Sequence, residues 1–128
     1  MKNEEFKILN NSVGACRAYG AVSYLKMNIQ NIKSVDSWAK NIGISRVYLY
    51  QLIKRYYKVT PSMILADLRL KTLRKLIEKN PNVTSYAAAI MIGLKNEKAL
   101  YKFLKSNFGT HFTELRLRAL REHLLGLK

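Results

Sequence analysis

From Ser34 onward the apolar positions of this chain fall into short helical registers separated by polar turns. Val35, Trp38, Ala39 and Ile42 are spaced i, i+3, i+4 and i+7, so all four lie on one stripe of a helix that Ser34 can cap. Ala39 suits a close approach of two helices, Gly43 can take a left-handed turn, and Ile44 can fill the gap between them. Ser45 then caps a second helix. In it Leu49, Leu52, Ile53 and Tyr56 face inward, and Arg46, Val47, Tyr50, Gln51 and Lys54 are left outside. The pattern predicts helix, glycine turn and helix over about residues 34–58.

The same phrase then returns. Thr60-Pro61 closes the first motif and opens a helix over about 61–79, since proline is tolerated in a first turn and discourages helix in the residue before it. Such a helix is roughly 27 Å long, comparable with the ~34 Å between major-groove segments on one side of B-DNA. Asn80-Pro81-Asn82 ends it, and Thr84 caps a helix in which Ala88, Ala89 and Ile92 take the places of Trp38, Ala39 and Ile42. Gly93 and Leu94 answer Gly43 and Ile44, and after a turn one residue longer Asn96 caps the last helix of the motif. Leu100, Phe103, Leu104 and Phe108 are its expected inward face; Glu97, Lys98, Ala99, Tyr101, Lys102 and Lys105 are its open side. Gly109 closes this second motif, about 84–109.

The flanks are read more coarsely. Residues 1–14 show no period and are expected to form an N-terminal tail, followed from Arg17 to about Asn28 by a support helix with Tyr19, Val22, Leu25 and Ile29 inward. A C-terminal amphipathic helix, about 113–125, carries Leu117, Leu120 and Leu124 on one side and Arg118 and Arg121 on the other. The fold class expected is all-α, with about seven helices: two helix-turn-helix subdomains joined by a long linker helix, residues 15–128 forming one domain.

A helix-turn-helix is a device for laying its second helix in the major groove of DNA. Charge agrees with that use. The 128 residues hold 23 Lys and Arg against 8 Asp and Glu, a net +15, which favours nucleic acid, an anionic surface or an acidic protein as partner. Cys16 is the single cysteine, so neither an intramolecular disulfide nor a cysteine-based zinc site can form; it is read as a small buried apolar group in a reducing cytoplasm. Acids among Met1 to Glu5 do not fit a secretory leader, and Tyr86 to Leu94, the best apolar run, is too short to span a bilayer. His111 and His123 are isolated, and no glycine-rich phosphate loop or Ser/His/Asp arrangement occurs. No enzyme, metal or cofactor is expected.

These residues resemble the DNA-binding domain of the AraC/XylS family of bacterial transcription regulators. The resemblance covers about Ser34 to Arg116 and rests on Ala39, Gly43, Ser45, Leu49, Lys54, Val59-Thr60-Pro61, Leu65, Arg69-Leu70, Ala89, Gly93, Leu104-Lys105, Phe108-Gly109-Thr110 and Arg116. Lys58 stands where the family has glycine, Ile64 and Leu115 where aromatics are common, Leu100 where phenylalanine is expected, and Phe112 in place of proline. These departures predict altered helix exits and a second motif packed less tightly than the family's.

The resemblance implies a sequence-specific reader of double-stranded promoter DNA, more often an activator, that places two recognition helices in successive major-groove segments as a monomer and works with RNA polymerase in the bacterial nucleoid. It assigns Val47, Tyr50 and Gln51 to base edges with Arg46 and Lys54 nearer the backbone, then Glu97, Lys98, Ala99 and Lys102 to bases with Tyr101 and Lys105 at phosphates. Ser45 and Asn96 would leave helix-start amides for phosphate. The plainer reading makes the cations a solvated face and Tyr50 and Tyr101 covers of the core edge. An alternative function is that of a degenerate member acting as a protein-interaction module or anti-activator through the N-terminal helix or the C-terminal segment; nonspecific RNA or nucleoid binding is a third. With no length for an effector domain, control is expected through abundance or a regulatory partner protein.

Overall fold

The structure, a computed structural model, describes residues 3–126, with side chains from Val13 onward. Among these residues the fold is all-α: α1 (Asn3–Asn28), a 3-10 turn (Ile29–Asn31), α2 (Val35–Asn41), α3 (Arg46–Tyr57), α4 (Pro61–Lys79), α5 (Ser85–Met91), α6 (Glu97–Phe108) and α7 (Phe112–Leu124). The chain divides into two compact units. The first runs to Asn28 and resumes over Ile32–Leu65; the second takes Ile29–Asn31 and everything from Ala66.

In the first unit α1 and α2 both pack on α3. The indole of Trp38 is wholly buried and its Nε1 donates to the Ala21 carbonyl at 3.0 Å, so the largest core side chain leaves no polar atom unpaired. The same unit also buries Ala18, Val22, Leu25, Ile32, Leu49, Leu52 and Ile53. Each such leucine or isoleucine contributes about 1.5–3 kcal/mol through lost water contact. Ser34 caps α2 through a reciprocal pair, its hydroxyl accepting from the Ser37 amide while Ser37 Oγ accepts from the Ser34 amide.

The second unit has its own core. Leu70, Leu73 and Ile77 of α4 meet Ala88, Ala89 and Ile92, Leu100, Phe103 and Leu104, and Leu115 of α7, while the 3-10 turn packs on α5. Leu100 is 1% exposed and Leu115 4%, so the two departures from aromatic residues leave a closed core. Arg69 is buried among these apolar groups; its Nε donates to the Ile92 carbonyl at 3.1 Å, and burial pushes its guanidinium below the usual arginine range. That bond ties α4 to the end of α5, where the turn begins.

Several sequence expectations need correction. Residues 3–14, expected as a tail, belong to α1; Met1 and Lys2 lie outside the described residues. Gly14 lies close to Tyr56, where a Cβ would come within 2.2 Å of the hydroxyl oxygen and the tyrosine would have to shift. Tyr19 is 70% exposed and Cys16 is exposed, while Ala18 and Ala21 are buried: α1 meets its neighbours through small side chains, which a search for large apolar residues passes over. Phe108 is 38% exposed and covers the core only as an edge contact on Phe103. On α7 the leucines expected on one side of the helix are not the residues that meet the core. Leu117 is 60% and Leu124 83% exposed, and the helix instead turns Leu115, Phe112 and Ala119 inward.

Candidate nucleic-acid interface

In each motif, backbone chemistry fixes where the second helix starts. Gly43 (φ 76°) and Gly93 (φ 90°) take the left-handed conformation, and the following Ile44 and Leu94 amides bond back to the Ala39 and Ala89 carbonyls at 3.0 and 2.9 Å. Ser45 and Asn96 then cap α3 and α6, accepting from the Tyr48 and Ala99 amides at 3.0 and 2.8 Å. The cap side chain therefore occupies one helix-start amide in each motif, and the expectation of phosphate at these starts concerns the amides before it.

The inward faces of α3 and α6 dictate the outward ones. Burial of Leu49, Leu52 and Ile53 leaves Val47, Tyr50, Gln51 and Lys54 on one open stripe, with Arg46 beside it; burial of Leu100, Phe103 and Leu104 leaves Lys98, Tyr101, Lys102 and Lys105 on the matching stripe, with Glu97 beside it. Residue for residue the stripes correspond, Val47 to Lys98, Tyr50 to Tyr101, Gln51 to Lys102 and Lys54 to Lys105. Val47 is 67%, Tyr50 48% and Tyr101 53% exposed. Asn96 and Ala99 are only half-buried shoulders of their stripe.

The electrostatics of the two stripes differ. The first turn of α3 carries no acid, so Arg46 adds to the positive end of the helix, whereas α6 begins with Glu97. Lys105 lies over the Tyr101 ring at 5.6 Å, and its Nζ is 3.5 Å from the phenol oxygen, which holds the cation against the helix surface.

Sequence reading passed over a neighbouring feature of the second unit. An open cleft of about 600 Å³ adjoins α6, lined among others by Thr84, Ser85, Glu97, Tyr101, His111 and Thr113. His111 caps α7, its Nδ1 accepting from the Glu114 amide at 3.2 Å, and Arg116, stacked 4.7 Å from the Phe112 ring, donates to the Val83 carbonyl. No residue pattern announced the cleft; it arises because α5, α6 and α7 pack together.

Two motifs, each a short helix, a glycine turn and a capped helix with one open polar stripe, define a tandem helix-turn-helix DNA-binding domain. The profile of the helix-turn-helix domain family matches residues 38–118, well over half of the chain. The chain belongs to this family, in its AraC/XylS branch of DNA-binding transcription regulators. It is 29% identical over 89 residues to the raffinose operon transcriptional regulatory protein RafR of Pediococcus pentosaceus, covering 70% of this chain and 32% of that protein, so it spans about a third of that relative's length. Its fold is similar to the C-terminal domain of AraT, a response regulator from Geobacillus stearothermophilus (TM-score 0.69, 18% identity, 79% of this chain and 84% of that one). It is also similar to an AraC-type transcriptional regulator from Chromobacterium violaceum (TM-score 0.63, 26% identity, 77% and 88%). Domains of this family and fold serve transcription regulators and are not enzymes. Among the described residues no helix is long and apolar enough to cross a membrane.

Proposed function

We propose that this protein is a sequence-specific activator that lays α3 and α6 in successive major-groove segments of a promoter, binding as a monomer and meeting RNA polymerase from there. The observation that supports this reading is the pair of corresponding open stripes on α3 and α6, each backed by its own core. Capture is electrostatic, through cations spread over both stripes, and sequence is then read at base edges. Gln51 donates to and accepts from adenine, Val47 packs on a thymine methyl, and Arg46 reads guanine or clamps a phosphate. Lys98 and Lys102 face bases on the second segment, with Tyr101, Lys105 and Lys54 at phosphates, and Asn96 and Ser45 at the helix starts. Glu97 accepts from a cytosine amine. Ala99, half-buried, makes an apolar contact at the groove edge.

Selection of bound sites from random duplex DNA, followed by footprinting on the recovered motif, tests this. The expected outcome is two boxes about one helical turn apart. Binding that unrelated competitor DNA erases equally well at every salt concentration would refute it.

A further inference from the structure

The last helix is apolar on two opposite sides. Inward, Leu115 is 4% exposed and Phe112 and Ala119 pack beside it on the core. Outward, Leu117 and Leu124 stand 60% and 83% exposed with half-buried Leu120 between them, a spacing of three and four residues that keeps the three on one ridge. Leu125, 62% exposed, extends the apolar surface past the helix end. A helix surface of this composition is one that a second element covers.

The borders of the ridge say what kind of element. Arg118 and Arg121 run along one side; on the other, Arg116 is held by the Val83 carbonyl and the Phe112 ring. The acid on the ridge's side of α7 is Glu114, which is already engaged by Thr110 at 2.9 Å and by Arg118 at 3.5 Å. Glu122 sits on the inward side, lining a small hollow with Arg74 and Glu78. The ridge is thus apolar with a cationic margin along the Arg118 and Arg121 side. Its complement has apolar residues at helical spacing and carboxylates along one edge. A second copy of a chain carrying +15 meets charge repulsion there, and DNA phosphates have nothing to offer three leucines.

We infer that the outer face of α7 docks an acidic amphipathic helix of a partner protein, helix against helix, with apolar anchors at three- and four-residue spacing giving affinity and flanking charges giving selectivity. This contact lies beyond the DNA reading and is independent of the α3 and α6 stripes.

The probe is a labelled synthetic helical peptide with leucines at three- and four-residue spacing and glutamates along one flank; its control has lysines in place of the glutamates. Titrated into the full chain, the acidic peptide is expected to bind saturably and at least tenfold more tightly than the lysine peptide. Leu117→Ser with Leu124→Ser should abolish this binding, while circular dichroism and DNA affinity stay unchanged. Arg118→Glu with Arg121→Glu should weaken the acidic peptide at least tenfold and recruit the lysine peptide. The inference is overturned if the acidic peptide does not bind, or binds the double-serine variant equally well, which would mean attraction to net charge alone. It is also overturned if the charge-reversed variant does not switch preference, or if sedimentation shows self-association that the serine variant removes, which would make the occupant a second copy.

Discussion

Lys58 is the non-glycine residue with positive φ among those described, at 63°, and it ends α3 in the left-handed conformation. Gly109 ends α6 in the same way with φ 62°. A side chain in that region costs about 1–2 kcal/mol, so the family's glycine was replaced without the helix exit changing course. Lys58→Gly should therefore raise stability by about 1 kcal/mol, less whatever glycine adds to unfolded-chain entropy; urea unfolding reads this directly, and a loss of stability would contradict the strain account. Gly109→Ala should move the same measurement by a similar amount in the other direction. Position 58 was recognisable in the sequence as a departure. That the backbone keeps the glycine conformation there, held by the Lys58 amide bonding to the Lys54 carbonyl at 3.2 Å, needed coordinates.

At the scale of elements, α3 and α6 are defined by caps and by the faces they bury. Ser45→Ala removes the bond to the Tyr48 amide and should lower stability by about 1 kcal/mol, measurable by thermal or urea unfolding. Gln51→Ala, on the open stripe, should leave stability within about 0.5 kcal/mol yet relax base preference at one position by roughly 1–3 kcal/mol, as binding to a panel of single-base variants would show. Lys105→Ala should act differently, weakening all sites alike and reducing the salt slope of log K by about 0.9 if it meets a phosphate. The open stripes of both helices were legible because their leucines fall at fixed spacing. The register of α7 was not legible: leucines sit on both sides, and which set is buried depends on where Leu115 and Ala119 meet α4, α5 and α6.

For the whole molecule the relevant quantity is charge, +15 over 128 residues. Binding to any duplex should fall steeply with salt, and the specific site should stand above that background. Replacing Lys98, Lys102 and Lys105 together with alanine should erase protection of one box in a footprint and keep the other, because the first unit has its own core and its own stripe. Uniform loss of both boxes would argue that the units do not bind separately. Leu100 and Leu115 are buried in the second core, so it closes despite these two departures from the family pattern.

Periodicity and caps are local properties of the chain, so the sequence alone determined the all-α class, the two glycine-turn motifs and the open stripe of α3 and of α6. The apolar spacing that buries one face leaves the other by elimination. Burial depends on what arrives from elsewhere in the chain, and for that reason only the tertiary structure decided that α1 extends back to Asn3, that Tyr56 lies beside Gly14, that Arg69 sits inside and bonds the Ile92 carbonyl, and that Leu117 and Leu124 of α7 face water while Leu115 is buried.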